Sequence, residues 1–301
     1  AKAEMRSDVL QLFDRTDYRS LARLTQACFP AGHPFRRPDS EALLKSLDTA
    51  SLDEVRAFHK ERYVGASLYL AIVGDVDAAA VISLVEKHLG DLPKGAQPPL
   101  PAERTQPGAP VREPVTMRGK ANMTFTFGAP SGLRITDPDF EAALVANAAL
   151  AQNALTSRVG KRVRDTEGLS YNLYSRFYYT DVLDGVWALN VNVAPQNLKK
   201  ALVSSREEID RYCKDGVTAE EVKVQQSFFA GNYVVKLGTN AGVAAALASA
   251  ERYGFGPAYL DEFPRRVNAV TLEQTNAAIK SRFHPANLHL FVAGDIDKLP
   301  E

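Results

Sequence analysis

The sequence predicts an α+β fold made of a duplicated unit, an antiparallel sheet with helices packed on one face, the first copy incomplete. Three observations predict it. Residues 51–77 lie over residues 271–297 at a constant offset of 220, and ten of the 27 positions are identical, Gly74/Gly294 and Asp75/Asp295 among them. Self-similarity of that length marks a repeated structural unit. Between the copies, residues 92–114 hold seven prolines in 23 positions, the composition of an extended, semi-rigid linker. Beyond the linker, alternating apolar segments and amphipathic segments follow in the order β-α-β-β-α-α-α-β.

Each copy of the repeat reads as a capped helix followed by a strand. Ser51-Leu-Asp-Glu54 and Thr271-Leu-Glu-Gln274 both have capping-box form, a hydroxyl at the N-cap and a carboxylate or amide three residues on. Leu52, Val55, Phe58 and Tyr63 form an apolar stripe at helical spacing. A break at Gly65 or Pro285 precedes the short apolar runs 69–73 and 289–293, expected to be buried strands ending in a Gly-Asp turn. The organisation is therefore 1–92 as the back part of the first repeat, 93–114 as linker and 115–301 as the complete second repeat. A counterpart of Val115, 220 residues earlier, would fall near position −105, so the expectation is a truncated or processed chain lacking the front of its first unit.

In the second unit, 116–132 begins as a strand with Met123, Phe125 and Phe127 on one face, and a helix is expected to start at Asp137. Residues 153–168 read as further helix ending at Gly168. "LSYNLYSRFYY" and "GVWALNVNVA" alternate as two antiparallel strands joined by a turn at 181–185. Pro195–Lys214 is amphipathic, and the capping box at Thr218–Glu221 opens a helical region to Tyr253, interrupted near Gly238–Gly242. Helices near 257–267 and 271–282 and a last strand complete the unit.

Lys and Arg balance Asp and Glu at 36 each, so no broad basic surface points to nucleic acid or an anionic membrane. Charges interrupt every apolar stretch before it could span a bilayer. Cys28 and Cys213 stand far apart and read as buried free thiols. The five histidines, His33, His59, His88, His284 and His289, show no H-x-x-x-H, H-E-x-x-H or H-x-x-E-H spacing, so no metal ligands are assigned in this chain. Nucleophile-elbow, Walker and dinucleotide motifs are absent as well.

One constellation remains, in "KRVRDTEGLSYNLYSRF". Arg164 is placed in the last turn of a helix and Tyr171 at the start of the next strand. Pointing to the same side, they would offer a guanidinium fork and a phenolic hydroxyl to a carbonyl oxygen. Alternatively, Arg164 caps helix carbonyls and Tyr171 fills the strand. Tyr174 is expected to face away from the pair.

The stretch "TSRVGKRVRDTEGLSYNLYS" resembles the second-half motif of the insulinase–pitrilysin zinc metallopeptidases, S-R-L…R-E…G-L-A-Y. "FPAGHPFRRP" together with the first copy of the repeat is similar to the back part of that family's first half. The resemblance implies an insulinase- or mitochondrial-processing-peptidase-like fold whose halves close around a peptide substrate. It implies that Arg164 and Tyr171 bind substrate and support the transition state, with no catalytic residue in this chain alone. Zinc would come from the front of the first half or from a partner subunit. The partner would be a zinc-carrying family member in a homo- or heterodimer, and the bacterial periplasm would be favoured over the cytoplasm. The family also implies an alternative, a non-catalytic structural or scaffold subunit such as those of respiratory-complex cores.

Overall fold

The computed structural model describes residues 1–97, 104–181 and 183–298. Five strands form its sheet: β1 (Arg112–Thr116), β2 (Met123–Pro130), β3 (Asn172–Tyr178), β4 (Val186–Val193) and β5 (His289–Gly294). Their order is β1-β5-β2-β4-β3. Three of the four ladders are antiparallel, including Met123↔Val193 through Pro130↔Val186, but β1 runs parallel to β5. The α+β expectation holds, and the sheet is mixed rather than wholly antiparallel. The parallel strand arises inside the proline-rich stretch. Val111 N–H donates to His289 Nδ1 at 3.0 Å, the Val111 carbonyl accepts from Leu290 at 2.8 Å, and the chain continues as an edge strand. At an edge Pro114 loses no ladder bond. The linker reading also covers residues 98–103, which lie outside the described residues.

One face of the sheet carries the main core. α6 (Phe140–Leu150), α9 (Ala219–Lys236), α11 (Tyr259–Asn268) and α12 (Leu272–Arg282) pack against one another over it. Phe125, Leu133, Leu150, Leu189 and Ile209 are buried there. Its two large polar-tipped side chains are satisfied: Trp187 Nε1–H donates to Asn147 Oδ1 at 2.8 Å and the Tyr212 hydroxyl to the Ala146 carbonyl at 2.8 Å. α6 starts at Phe140, later than expected, because Asp137 and Asp139 are drawn into ion pairs with Arg282. α8 (Leu198–Asp215) and α10 (Asn240–Arg252) fall where the sequence places them.

The opposite face is covered too, which the sequence reading did not expect. α1 (Lys2–Phe13) leads into α2 (Thr16–Cys28), which lies across β2, β4 and β5. Leu21, Leu24 and Phe29 form a second apolar cluster with Val186, Ala188 and Phe291. Gly128 on β2 permits the approach, since a Cβ there would overlap the Leu24 side chain and come within 2.7 Å of the Trp187 carbonyl oxygen.

The repeated segments agree as far as local chemistry reaches. α4 (Leu52–Arg62) and α12 both open with complete capping boxes, and the 3₁₀ turns Gly65–Ser67 and Pro285–Asn287 follow at the same offset. They part at the strand. β5 is paired on both sides, whereas 69–73 belongs to no ladder among the described residues. A strand needs neighbours to bond its backbone. The helix faces differ for the same reason: Thr275 and Ala278 are buried, while their counterparts Val55 and Phe58 are exposed. α3 (Ser40–Thr49) packs on α1, with Arg6 paired to Asp48, and α5 (Ala78–Leu89) closes the first unit.

Candidate functional site

Residues 153–168 are not the continuous helix that the sequence suggests. Residues 151–156 are turns, α7 (Arg158–Gly160) is a single turn capped by the Ser157 side chain, and Lys161–Thr166 winds as a π-helix. Its signature is long-span bonding: Glu167 N–H to the Arg162 carbonyl at 3.0 Å and Leu169 N–H to the Val163 carbonyl at 2.8 Å. π-turns recur at functional sites because they displace one side chain from helical register. Gly168 then reverses the chain with φ of +62°. Val159 and Val163 anchor the inner side in the core.

Ion pairs fix the outer side. Arg158 forms a fork with Glu221 at 2.6 and 2.7 Å, joining the turn to the N-terminus of α9. Burial pushes the Glu221 carboxyl up, but Arg158 and the Thr218 backbone outweigh it and hold it below the ordinary value. Arg162 reaches Glu167 at 3.1 Å and Glu207 at 2.5 Å, and the Ser204 hydroxyl donates to Glu167 at 2.7 Å.

Arg164 and Tyr171 come together on this frame. The Arg164 guanidinium carbon lies 5.4 Å from the centre of the Tyr171 ring, a cation–π contact. Tyr171 is 88% exposed, and the charged contact of Arg164 is its sequence neighbour Asp165 at 3.3 Å. The pair borders a groove of about 390 Å³ whose floor is β3 and whose rim is 152–155. That rim shields part of the sheet edge, since Ser175 N–H donates to the Ala151 carbonyl at 2.7 Å. Arg164 and Tyr171 thus both line the groove, bringing a guanidinium and a phenol to its border.

Tyr174 does not turn away as expected. It borders the same groove, with the Arg176 guanidinium 5.3 Å over its ring. Strand alternation sends Leu173 and Ser175 inward and leaves Asn172, Tyr174, Arg176 and Tyr178 on the opposite face. Beside the apolar cluster, buried polar groups join this face to α2. Thr126 Oγ1 lies 2.7 Å from Ser20 Oγ and 2.8 Å from Asn190 Oδ1, while Thr124 Oγ1 meets Thr16 Oγ1 at 2.8 Å. The Tyr-x-Arg-x-Tyr alternation from 174 to 178 was the available sequence signal for these residues.

Two of the histidines have structural partners. His33 stacks on Phe29 and its Nδ1 accepts from Phe35 N–H at 3.2 Å; His289 Nδ1 accepts from Val111. Burial lowers the titration of His33, His284 and His289. Cys28 and Cys213 are free thiols, pushed by burial to about 12 and about 11, a state that disfavours thiolate chemistry. Among the described residues no three His, Cys, Asp or Glu side chains are placed to hold a metal ion, so these residues do not fit a zinc site. No described helix is long and apolar enough to cross a membrane.

Comparison with known proteins agrees with the insulinase–pitrilysin resemblance. A zinc protease of Mycobacterium tuberculosis, itself uncharacterised, is 26% identical over 270 residues, covering 87% of this chain and 59% of that protein. The chain thus spans 59% of that relative's length. Among solved structures, a peptidase M16 inactive domain from Pseudomonas fluorescens shares the fold with a TM-score of 0.85 at 20% identity, over 97% of this chain and 68% of the other. A chain of complex III₂ from Candida albicans does so with a TM-score of 0.79 at 14% identity, over 100% and 72%. The family model described as "Peptidase M16 inactive domain" matches residues 49–228, more than half of the sequence, and the chain belongs to that family.

Proposed function

We propose that this chain supplies the substrate-holding half of a peptide-cleaving zinc metallopeptidase. The observation that carries the reading is the Arg164–Tyr171 pair, an exposed tyrosine stacked at 5.4 Å on a half-buried arginine beside an open groove. Residues 1–92 are assigned to the back part of a first repeat and 115–301 to a complete second repeat, joined through 93–114. Support comes from the matched capping boxes and 3₁₀ turns at the offset of 220. Zinc belongs to the front of the first repeat or to a partner subunit, and the residues of this chain take no metal step. Their part is to bind and orient. Arg164 holds a substrate carbonyl through charge-assisted bonds, and the Tyr171 hydroxyl donates to the oxygen on which charge develops. The M. tuberculosis relative, named as a zinc protease, supports this assignment.

A second reading, a structural subunit without peptidase function, is favoured by the likeness to the complex III₂ chain. One experiment separates the two. The chain is assembled with a zinc-carrying family subunit and cleavage of β-casein is measured for wild type and Arg164→Ala. The peptidase reading expects kcat/KM to fall about tenfold or more, the value of a lost charge-assisted bond. Cleavage unchanged by the substitution supports the structural subunit.

A further inference from the structure

We propose that the hollow between the α1–α2 corner and the polar face of β3 binds a carboxylate of the peptide held by Arg164 and Tyr171. This deepens the peptidase reading and rests on it for the identity of the ligand. The hollow measures about 440 Å³, and Asn172, Tyr174 and Arg176 line both it and the groove of the Arg164–Tyr171 pair. A peptide crossing the end of β3 therefore passes from one into the other.

Three arginines converge on this space: Arg15, Arg37 and Arg176. Asp17, the carboxylate that lines it among the described residues, is gripped by Arg15 through two bonds of 3.1 and 2.6 Å. That pair is locally neutral. Arg37 instead donates to the Tyr179 hydroxyl at 2.7 Å and lies 4.7 Å over the Tyr18 ring, while Arg176 lies over Tyr174. Neither guanidinium meets an acid among the described residues, and stacking leaves in-plane N–H groups of each available. Tyr178 and Tyr174 add hydroxyls from the strand. Burial pushes the Tyr178 phenol up, so it remains a neutral donor at physiological pH. Two guanidinium groups without an acid partner among the described residues, and neutral phenols around a half-enclosed hollow, match a planar anion and repel a lysine or arginine side chain. The carboxylate is an Asp or Glu side chain or the C-terminus of the peptide.

Calorimetry with the full chain distinguishes these sources. One short N-acetylated peptide of Ala, Thr and Val is made in three forms. The first has a central Glu and an amidated end, the second a central Gln and a free C-terminal carboxylate, and the third a central Gln and an amidated end. A carboxylate form is expected to bind about tenfold tighter than the third, the equivalent of one charge-assisted interaction. The favoured form names the source. Arg37→Gln combined with Arg176→Gln is expected to abolish that ratio. Arg176→Gln alone, at an exposed position, is expected to reduce it, which keeps the test valid if the double variant unfolds. Equal binding of all three forms, no measurable binding, or a ratio that survives both variants overturns the proposal. Arg164→Ala with Tyr171→Phe is expected to weaken all forms alike. If that variant changes nothing while the ratio persists, the peptidase reading fails and the carboxylate hollow stands.

Discussion

Glu167 closes the π-turn between Arg162 and Ser204, and its side chain is 16% exposed. Burial pushes its carboxyl up, but the Ser204 hydroxyl and the Arg162 guanidinium outweigh that and hold it below its ordinary 4.5. A carboxyl lowered in the folded state adds stability that is full above its unfolded value and lost as pH falls through the folded one. Glu167→Gln should therefore cost about 1–2 kcal/mol at neutral pH and flatten the loss of stability as pH falls through and below the ordinary carboxylate range. Urea unfolding across that range checks it, and equal pH slopes for both proteins would contradict it. At this scale the Arg164–Tyr171 spacing was legible because the motif lies within one short stretch. The π-turn was not, since a bond to the fifth residue back leaves no hydrophobic period, and Gly168 marked only where the turn ends. Tyr174 was misjudged because its neighbour Arg15 meets it only once the α1–α2 corner has packed on the sheet.

The capping boxes of α4, α9 and α12 were all legible, because each is complete within four residues. Strands were legible only where the chain supplies their neighbours. Apolar runs 69–73 and 289–293 look alike in sequence, yet only the second finds β1 and β2. β1 escaped notice because proline composition signals linker, while its pairing depends on a strand 178 residues away through the Val111–His289 bond. The same limit hid α2, whose amphipathic face gives no hint of which sheet face it covers. Its seat can be tested at Gly128. Gly128→Ala places a methyl against Leu24 and the Trp187 carbonyl, and overpacking of this kind should cost about 1–3 kcal/mol. Thermal unfolding reads the loss, and Leu24→Ala in the same chain should recover part of it by opening space. A fully stable Gly128→Ala protein would mean that α2 is not seated as described.

At the scale of the whole molecule, a sheet covered on both faces stands beside an exposed apolar stretch. Leu21, Leu24 and Phe29 of α2 complete the burial of the sheet's second face, whereas Leu52, Val55, Phe58, Leu70 and Ile72 remain exposed along 52–72. The chain spans 59% of its M. tuberculosis relative, and the role proposed for it is to hold the substrate. The central claim concerns what Tyr171 does there. The most direct measurement is single-turnover cleavage of a saturating peptide by the assembled peptidase, comparing wild type, Tyr171→Phe and a control, Tyr63→Phe, on the exposed face of the first unit. The account predicts a fall of about 10²–10³ in the rate for Tyr171→Phe with little change in KM, and no change for the control. Equal rates for wild type and Tyr171→Phe would contradict it.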